Sequence, residues 1–236
     1  MTTAIILAGG LGTRLRSVLP DLPKPMAPVN GRPFLEYLMD YWIRQGIDNF
    51  ILSVGYMKDV IIEHFGSLYR SVPISYSIED SPLGTGGGLL VASRNQTDPF
   101  LVLNGDTFFE VPLSNLMGFH KENAAVCSLS LFRAGNDQRF GGIVIDESNR
   151  IISFDAGKSV SGTLANGGVY LFSPSLMSRT SFVAGDVCSL ETEFIPELLK
   201  LGVEVHGSEF PGRFIDIGVP SDLARAHTFF ANNEAQ

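Results

Sequence analysis

The sequence predicts an α/β fold, a mostly parallel sheet covered by helices on both faces within a single domain. Three observations predict it. Short apolar runs alternate with amphipathic stretches through the first half, which is a β-α-β rhythm. The first apolar run passes directly into a glycine loop. The chain's 236 residues, 44% hydrophobic and 18% charged, have an ordinary globular composition and are enough for one large domain with a real core.

Residues 4–8 read as a buried strand, because the run is apolar without alternation. Residues 34–45 read as a helix with Leu35, Leu38, Met39 and Trp42 on one face. Strands over 50–54 and 74–78 flank a short helix over 58–65. Residues 89–93 belong to a helix expected to start after the cluster Gly84, Gly86, Gly87 and Gly88. A buried strand over 100–103 ends in Asn104, Gly105 and Asp106. The second half is richer in strands, over 124–132, 142–146, 151–154 and 169–172, with a turn at Glu147, Ser148 and Asn149. A helix over 191–201 with Gly202 as its C-terminal cap, a strand over 214–217 and a helix over 221–230 follow. No repeat, linker or low-complexity tract is visible.

Charge and composition exclude several classes. A formal net charge of −8 makes general binding to nucleic acid or to an anionic membrane a poor expectation. Any phosphate site must then be local, built from a few placed cations. Two cysteines, Cys127 and Cys188, make neither a disulfide framework nor a metal cluster, and read as reduced buried thiols. The four histidines, His64, His120, His206 and His227, lack metal-ligand spacing. The run 4–8 is too short for a signal peptide and has no basic stretch before it, and no segment approaches the ~20 apolar residues of a transmembrane helix. The expected location is the cytoplasm. Homo-oligomerisation is left open.

The strongest chemical signal is Leu7, Ala8, Gly9, Gly10, Leu11, Gly12, Thr13, Arg14 and Leu15, followed by Pro23, Lys24, Pro25 and Met26. A strand that runs into bare backbone lets N–H groups converge on phosphate oxygens. Arg14 adds a forked cation, and Lys24 sits between two prolines that stiffen its backbone. A P-loop would need Gly-Lys-Ser/Thr where Thr13 and Arg14 stand, and the dinucleotide fingerprint a third glycine where Leu15 stands.

The segment 7–26 resembles the signature of the sugar-phosphate nucleotidyltransferases, and the resemblance runs over nearly the whole chain. Glu79, Asp80, Ser81, Pro82, Leu83, Gly84, Thr85 and Gly86 are similar to that family's nucleobase loop. Asn104, Gly105 and Asp106 resemble its metal aspartate motif. Asn166, Gly167, Gly168, Val169 and Tyr170 look like its sugar-binding strand, and 214–220 like the segment carrying its second metal aspartate, Asp216.

The resemblance implies a Rossmann-like fold of the nucleotide-diphospho-sugar transferase type, with residues 1–122 as the nucleotide half and 123–236 as the sugar half. It implies a nucleoside triphosphate and a sugar 1-phosphate as partners, with magnesium on Asp106 and Asp216. Arg14 would then serve the departing pyrophosphate and Lys24 the α-phosphate. Within the family the pattern looks closest to short guanylyltransferases that act on a heptose 1-phosphate and serve bacterial surface polysaccharides.

Base and sugar are separate questions. Guanine presents two adjacent donors on one edge, which a carboxylate accepts together, so Glu79 tilts the expectation to GTP. The alternative for Glu79 is a solvent-facing loop carboxylate. On the sugar side Gly141, Asn166 and Gly167 offer backbone and an amide, and Glu191 either accepts from sugar hydroxyls or only favours a helix N-terminus. Many relatives carry Glu-Lys-Pro where this chain reads Asp155, Ala156, Gly157, Lys158 and Ser159. Their glutamate is therefore not carried over, and Lys158 is the cation available to the sugar phosphate. Competing readings are the same reaction with UTP or dTTP on N-acetylmuramic acid 1-phosphate or glucose 1-phosphate, and an inactive module that senses nucleotide sugars.

Overall fold

The computed structural model describes residues 2–135, 140–155 and 163–231. Strand β1 (Thr3–Leu7) comes first. Two 3₁₀ turns, Thr13–Leu15 and Lys24–Met26, and a small hairpin of β2 (Pro28–Val29) and β3 (Arg32–Pro33) lead into α1 (Phe34–Arg44). Next come β4 (Asn49–Val54), α2 (Lys58–Phe65), β5 (Leu68–Tyr69), β6 (Val72–Ile78) and α3 (Gly84–Ala92). Strands β7 (Phe100–Asn104) and β8 (Thr107–Phe109) precede α4 (Leu113–Glu122). The second half runs β9 (Cys127–Arg133), β10 (Ile143–Ile145), β11 (Ile151–Phe154), β12 (Leu164–Phe172), α5 (Ile195–Lys200), β13 (Val205–Glu209), β14 (Phe214–Asp216) and α6 (Pro220–Ala231).

Among the described residues ten of these strands form one mixed sheet, while β8 pairs with β14 and β2 with β3 apart from it. β7, β1, β4 and β6 are parallel neighbours, as the β-α-β rhythm predicts. β12 pairs antiparallel with β7 and joins the second half to the first, and β9 and β10 pair with β12. Along the central strands successive side chains enter different cores. Ala4, Ile6, Leu101, Leu103, Val169 and Leu171 pack on one face, and Ile5, Phe100, Val102, Tyr170 and Phe172 on the other. The period of two, with both faces apolar, is why these strands read as unbroken hydrophobic runs. Among the described residues no helix is long and apolar enough to cross a membrane.

Several expected boundaries moved, each for a tertiary reason. Helix α3 starts at Gly84, within the glycine cluster and not after it. Glycine disfavours helix by about 1 kcal/mol against alanine, but here it admits the segment 186–188. The N–H groups of Gly86 and Gly87 donate to the Cys188 carbonyl at 2.9 and 3.2 Å. A Cβ on Gly87 would lie 2.2 Å from the Asp186 carbonyl oxygen.

The strand expected over 124–132 begins at Cys127, because Ala124 turns with φ +46°. The strand expected at 169 begins at Leu164. It carries a bulge between Asn166 and Tyr170, with Gly168 at φ +69°, and such a bulge hides strand periodicity. The helix expected over 191–201 is a wide turn, Leu190–Phe194, capped by the Ser189 hydroxyl and followed by α5. Pro196 has no N–H to give the preceding turn. The strand expected over 214–217 is β14, ending at Asp216, whereas β8, with three residues too few to show a period, was not expected. Helix α4 and strand β13 were not expected either. The turn at Glu147–Asn149 formed, with Asn149 at φ +60°, and Cys127 and Cys188 are free and buried.

His120 is a buried tie between α4, β9 and the residue after β12. Its Nδ1 lies 2.8 Å from the Ser128 hydroxyl and its Nε2 2.9 Å from that of Ser173. Burial, reinforced by His206, pushes its pKa from 6.5 down to about 4. Between those values the unfolded chain takes up a proton that the folded chain refuses, so stability falls as the pH drops. The expected loss from this group between pH 7.5 and pH 5 is about 2 kcal/mol. Urea unfolding at both pH values, with His120→Asn as the non-titrating comparison, checks it. An equal pH dependence in both proteins would refute it.

Candidate active site

A cavity of about 580 Å³ opens at the carboxyl ends of the parallel strands, where open α/β sheets bind ligands. The chain leaves β1 through Leu7 and Ala8, held on both sides. The Ala8 N–H donates to the Ser53 carbonyl at 2.8 Å, and the Gly105 N–H to the Leu7 carbonyl at 3.0 Å. Gly12 then turns with φ +56°, a left-handed conformation that favours glycine. The turn sends Leu15 into the core and leaves Arg14 exposed at the cavity wall. Gly9, Gly10 and Thr13 line the same wall.

Lys24 approaches from the other side. Its 3₁₀ turn is anchored by the buried Pro25 and Met26. The missing Cβ of Gly12 would stand 3.3 Å from Lys24 Cβ, so the loop rests on this lysine. Lys24 Nζ donates to Asp106 and lies 3.8 Å from Asp216 Oδ1. Asp106 follows β7, while Asp216 ends β14. The register Asp216 opposite Thr107 brings the two carboxylates together.

The electrostatics follow from that geometry. Burial opposes ionisation of Asp106, but Lys24 and the Thr107 hydroxyl hold its carboxyl below the usual range. Asp216 is pushed up to about 6 by burial and by the Asp106 charge, against the pull of Lys24 and Arg14. Two oxygen-donor side chains already converge on one cation position. Among the described residues no group of three or more His, Cys, Asp or Glu could hold a metal. A donor set of two carboxylates, open on one side to phosphate oxygens and water, fits magnesium and not zinc.

The far end of the cavity is formed by Glu79, Pro82, Gly84 and Thr85. Glu79 does not point away into solvent. Its Oε1 accepts from the Ser53 hydroxyl and its Oε2 from the Leu83 N–H, both at 3.0 Å. Glu191 also lines the cavity, and its position between the two expected roles is now visible. Its carboxylate is turned inward, accepting from Asn104 Nδ2 at 3.1 Å, the Tyr170 hydroxyl at 3.2 Å and the Thr85 hydroxyl at 3.0 Å. The Asn104 Oδ1 is buried with no hydrogen-bond partner, an acceptor left over in the cavity wall.

Other expected contacts lie outside that wall. Gly105, Gly141, Asn166 and Gly167 are not among the lining residues. A Cβ on Gly105 would meet the Leu7 carbonyl oxygen at 2.7 Å, so this glycine seats the Asp106 turn on β1. Gly167 is bare because Phe109 packs there, its ring carbon 2.3 Å from where a Cβ would be. Asn166 donates to the Tyr170 hydroxyl at 2.6 Å and accepts from the Gly168 N–H at 3.1 Å, which closes the β12 bulge. Lys158 lies outside the described residues. Leu11, Pro25 and Gly218 line the cavity and were not anticipated. Gly218 could have been found from Asp216-Ile217-Gly218, since its N–H donates to Asp216 and a Cβ there would crowd that carboxylate.

A strand-end glycine loop, a lysine shared by two aspartates and a polar slot beyond them define an α/β protein built to hold polyanions beside a divalent cation. The chain belongs to the nucleotidyl transferase family, whose model matches residues 3–233. It is 41% identical to the D-glycero-alpha-D-manno-heptose 1-phosphate guanylyltransferase of Campylobacter jejuni, over 98% of this chain and 99% of that one. It is also 41% identical to the enzyme of the same name from Aneurinibacillus thermoaerophilus, over 94% and 96%. The crystal structure of HddC from Yersinia pseudotuberculosis superposes with a TM-score of 0.83 at 33% identity, covering 98% of this chain and 100% of that one. HddC has also been solved in complex with GMP-PN. These matches bear out the predicted single-domain fold of the nucleotide-diphospho-sugar transferase type.

Proposed function

We propose that this chain transfers a guanylyl group from GTP to D-glycero-α-D-manno-heptose 1-phosphate and releases pyrophosphate. The observation that carries the reading is the convergence of the 9–14 loop, Lys24, Asp106 and Asp216 on one cavity whose far end presents a fixed carboxylate, Glu79. The two full-length relatives named for this reaction support both the base and the sugar. The product serves surface polysaccharide synthesis, and the reaction takes place in the cytoplasm.

The chemistry needs no general base. The sugar phosphate is already an anion, and its oxygen forms the new bond to the α-phosphorus as the bond to the β-phosphate oxygen breaks. The electron pair leaves with pyrophosphate. The difficulty is bringing two polyanions into line, which is a task of positioning and charge neutralisation. The N–H groups of residues 9–12 and the Arg14 guanidinium hold the β- and γ-phosphates, and Arg14 stabilises the charge that departs. Lys24 meets the α-phosphate as it exchanges its aspartate partners for the substrate. Asp106 and Asp216 would hold magnesium, which when bound supplies positive charge to the phosphate oxygens. Glu79 accepts from guanine, and Glu191 with Asn104 faces the sugar.

Pyrophosphate release from each of four nucleoside triphosphates against a panel of sugar 1-phosphates tests the proposal. The expected result is turnover with GTP and the heptose phosphate, with kcat/KM for GTP at least about 10²-fold above that for UTP. Equal or faster turnover with UTP or dTTP would overturn the base, and preference for another sugar phosphate the sugar.

A further inference from the structure

The carboxylate of Glu79 occupies a slot made by residues from three separate parts of the chain. Ser53, at the end of β4, is buried, and its hydroxyl donates to Oε1 at 3.0 Å. The Leu83 N–H donates to Oε2 at 3.0 Å. The slot also needs two bare Cα positions. A Cβ on Gly88 of α3 would stand 2.7 Å from Glu79 Oε1 and 2.9 Å from the Ser53 hydroxyl, and one on Gly9 would stand 2.7 Å from the same Oε1.

Each carboxylate oxygen has two acceptor directions. The protein uses one on each oxygen, so one acceptor remains on each for a ligand that offers two neighbouring donors. A glutamate without these ties would lose rotamer freedom on binding, and the ties remove that cost beforehand. The rival explanation is local. Leu83 directly precedes α3, so Glu79 could simply tie the start of that helix. That role needs neither the second oxygen's bond to Ser53 nor a fixed direction for the remaining acceptors.

We propose that Ser53 and Gly88 are specificity-positioning residues. They hold Glu79 so that its two free acceptors meet the N1–H and 2-amino group of guanine together. This rests on the guanine reading of the site. Ser53 acts by bonding the carboxylate and Gly88 by leaving it room.

Inosine triphosphate lacks only the 2-amino group, so the ratio of kcat/KM for GTP over ITP reports this alignment. Wild type, Ser53→Ala and Gly88→Ala are compared with GTP, ITP and UTP, and their melting temperatures are measured. Wild type is expected to favour GTP over ITP by about tenfold or more. Ser53→Ala should raise KM for GTP about 5- to 20-fold with kcat within about twofold, and bring the GTP to ITP ratio to within about threefold of one. Gly88→Ala should lower the same ratio without loss of melting temperature. The neighbours its methyl displaces first are the side-chain end of Glu79 and the Ser53 hydroxyl, not backbone, and alanine is the better helix former. Should Ser53→Ala fold poorly, Gly88→Ala decides alone. A wild-type GTP to ITP ratio kept in both folded variants overturns the proposal. A wild type that prefers UTP to GTP overturns instead the guanine reading beneath it.

Discussion

Replacing Asp106 by asparagine is expected to lower kcat by about 10³-fold while leaving the fold intact. The substitution keeps shape and removes only charge. In the present structure Asp106 bonds Lys24 on one oxygen and accepts from the Thr107 hydroxyl on the other at 3.2 Å. Asparagine can still occupy that place, and Lys24 still has Asp216 at 3.8 Å, so no cation is stranded. What is lost is half of the negative charge that gathers cations at the reacting phosphates. Because that charge acts as the α-phosphorus changes hands, the loss should fall on kcat more than on KM. Rapid-quench measurement of pyrophosphate formation, with melting temperature as the control for folding, checks it. A kcat within tenfold of wild type would remove Asp106 from the chemistry.

Replacing Lys24 by alanine is expected to lower kcat by about 10²-fold or more, and to change how the protein responds to magnesium. Lys24 is only 10% exposed and bridges two carboxylates that burial and mutual repulsion already strain, as the raised pKa of Asp216 records. Without the ammonium, two like charges face each other in a partly buried site, an arrangement that is destabilising. Magnesium is then the cation that can neutralise both carboxylates together. Its addition should raise the melting temperature of Lys24→Ala by several degrees more than that of wild type. Wild-type turnover in this variant would refute the role of Lys24 at the α-phosphate. An identical magnesium shift in the two proteins would refute the bridging role.

Much of the site was legible because its parts are local. The 7–26 segment carries its meaning in adjacent residues: a strand, bare backbone, then Arg14 and Lys24. The strand-end position of Asp106 follows from the apolar run before it. Glycine was the misleading residue. Clusters that suggest backbone brought close to a ligand serve protein contacts at several positions: Gly87 on the Asp186 carbonyl, Gly167 against Phe109, and Gly88 against Glu79 and Ser53. A missing side chain records that something lies close, but not whether it is a ligand, a ring or another strand. Strand β8 is too short for periodicity and left no trace, although its pairing with β14, which the 214–217 run announced, is what delivers Asp216.

By itself the sequence determined the α/β class and the apolar runs of the central parallel strands, and it marked residues 9–14, Lys24 and Asp106 as candidates for phosphate chemistry. Each of these is encoded by neighbours along the chain, through apolar periodicity and backbone freedom. Only the tertiary structure decided that Lys24 is shared between Asp106 and Asp216, that Glu191 turns inward to Asn104 and Tyr170, and that Ser53 holds Glu79. Those contacts join residues far apart in sequence. They depend on strand register and on close packing between layers, and neither is written in any local pattern of residues.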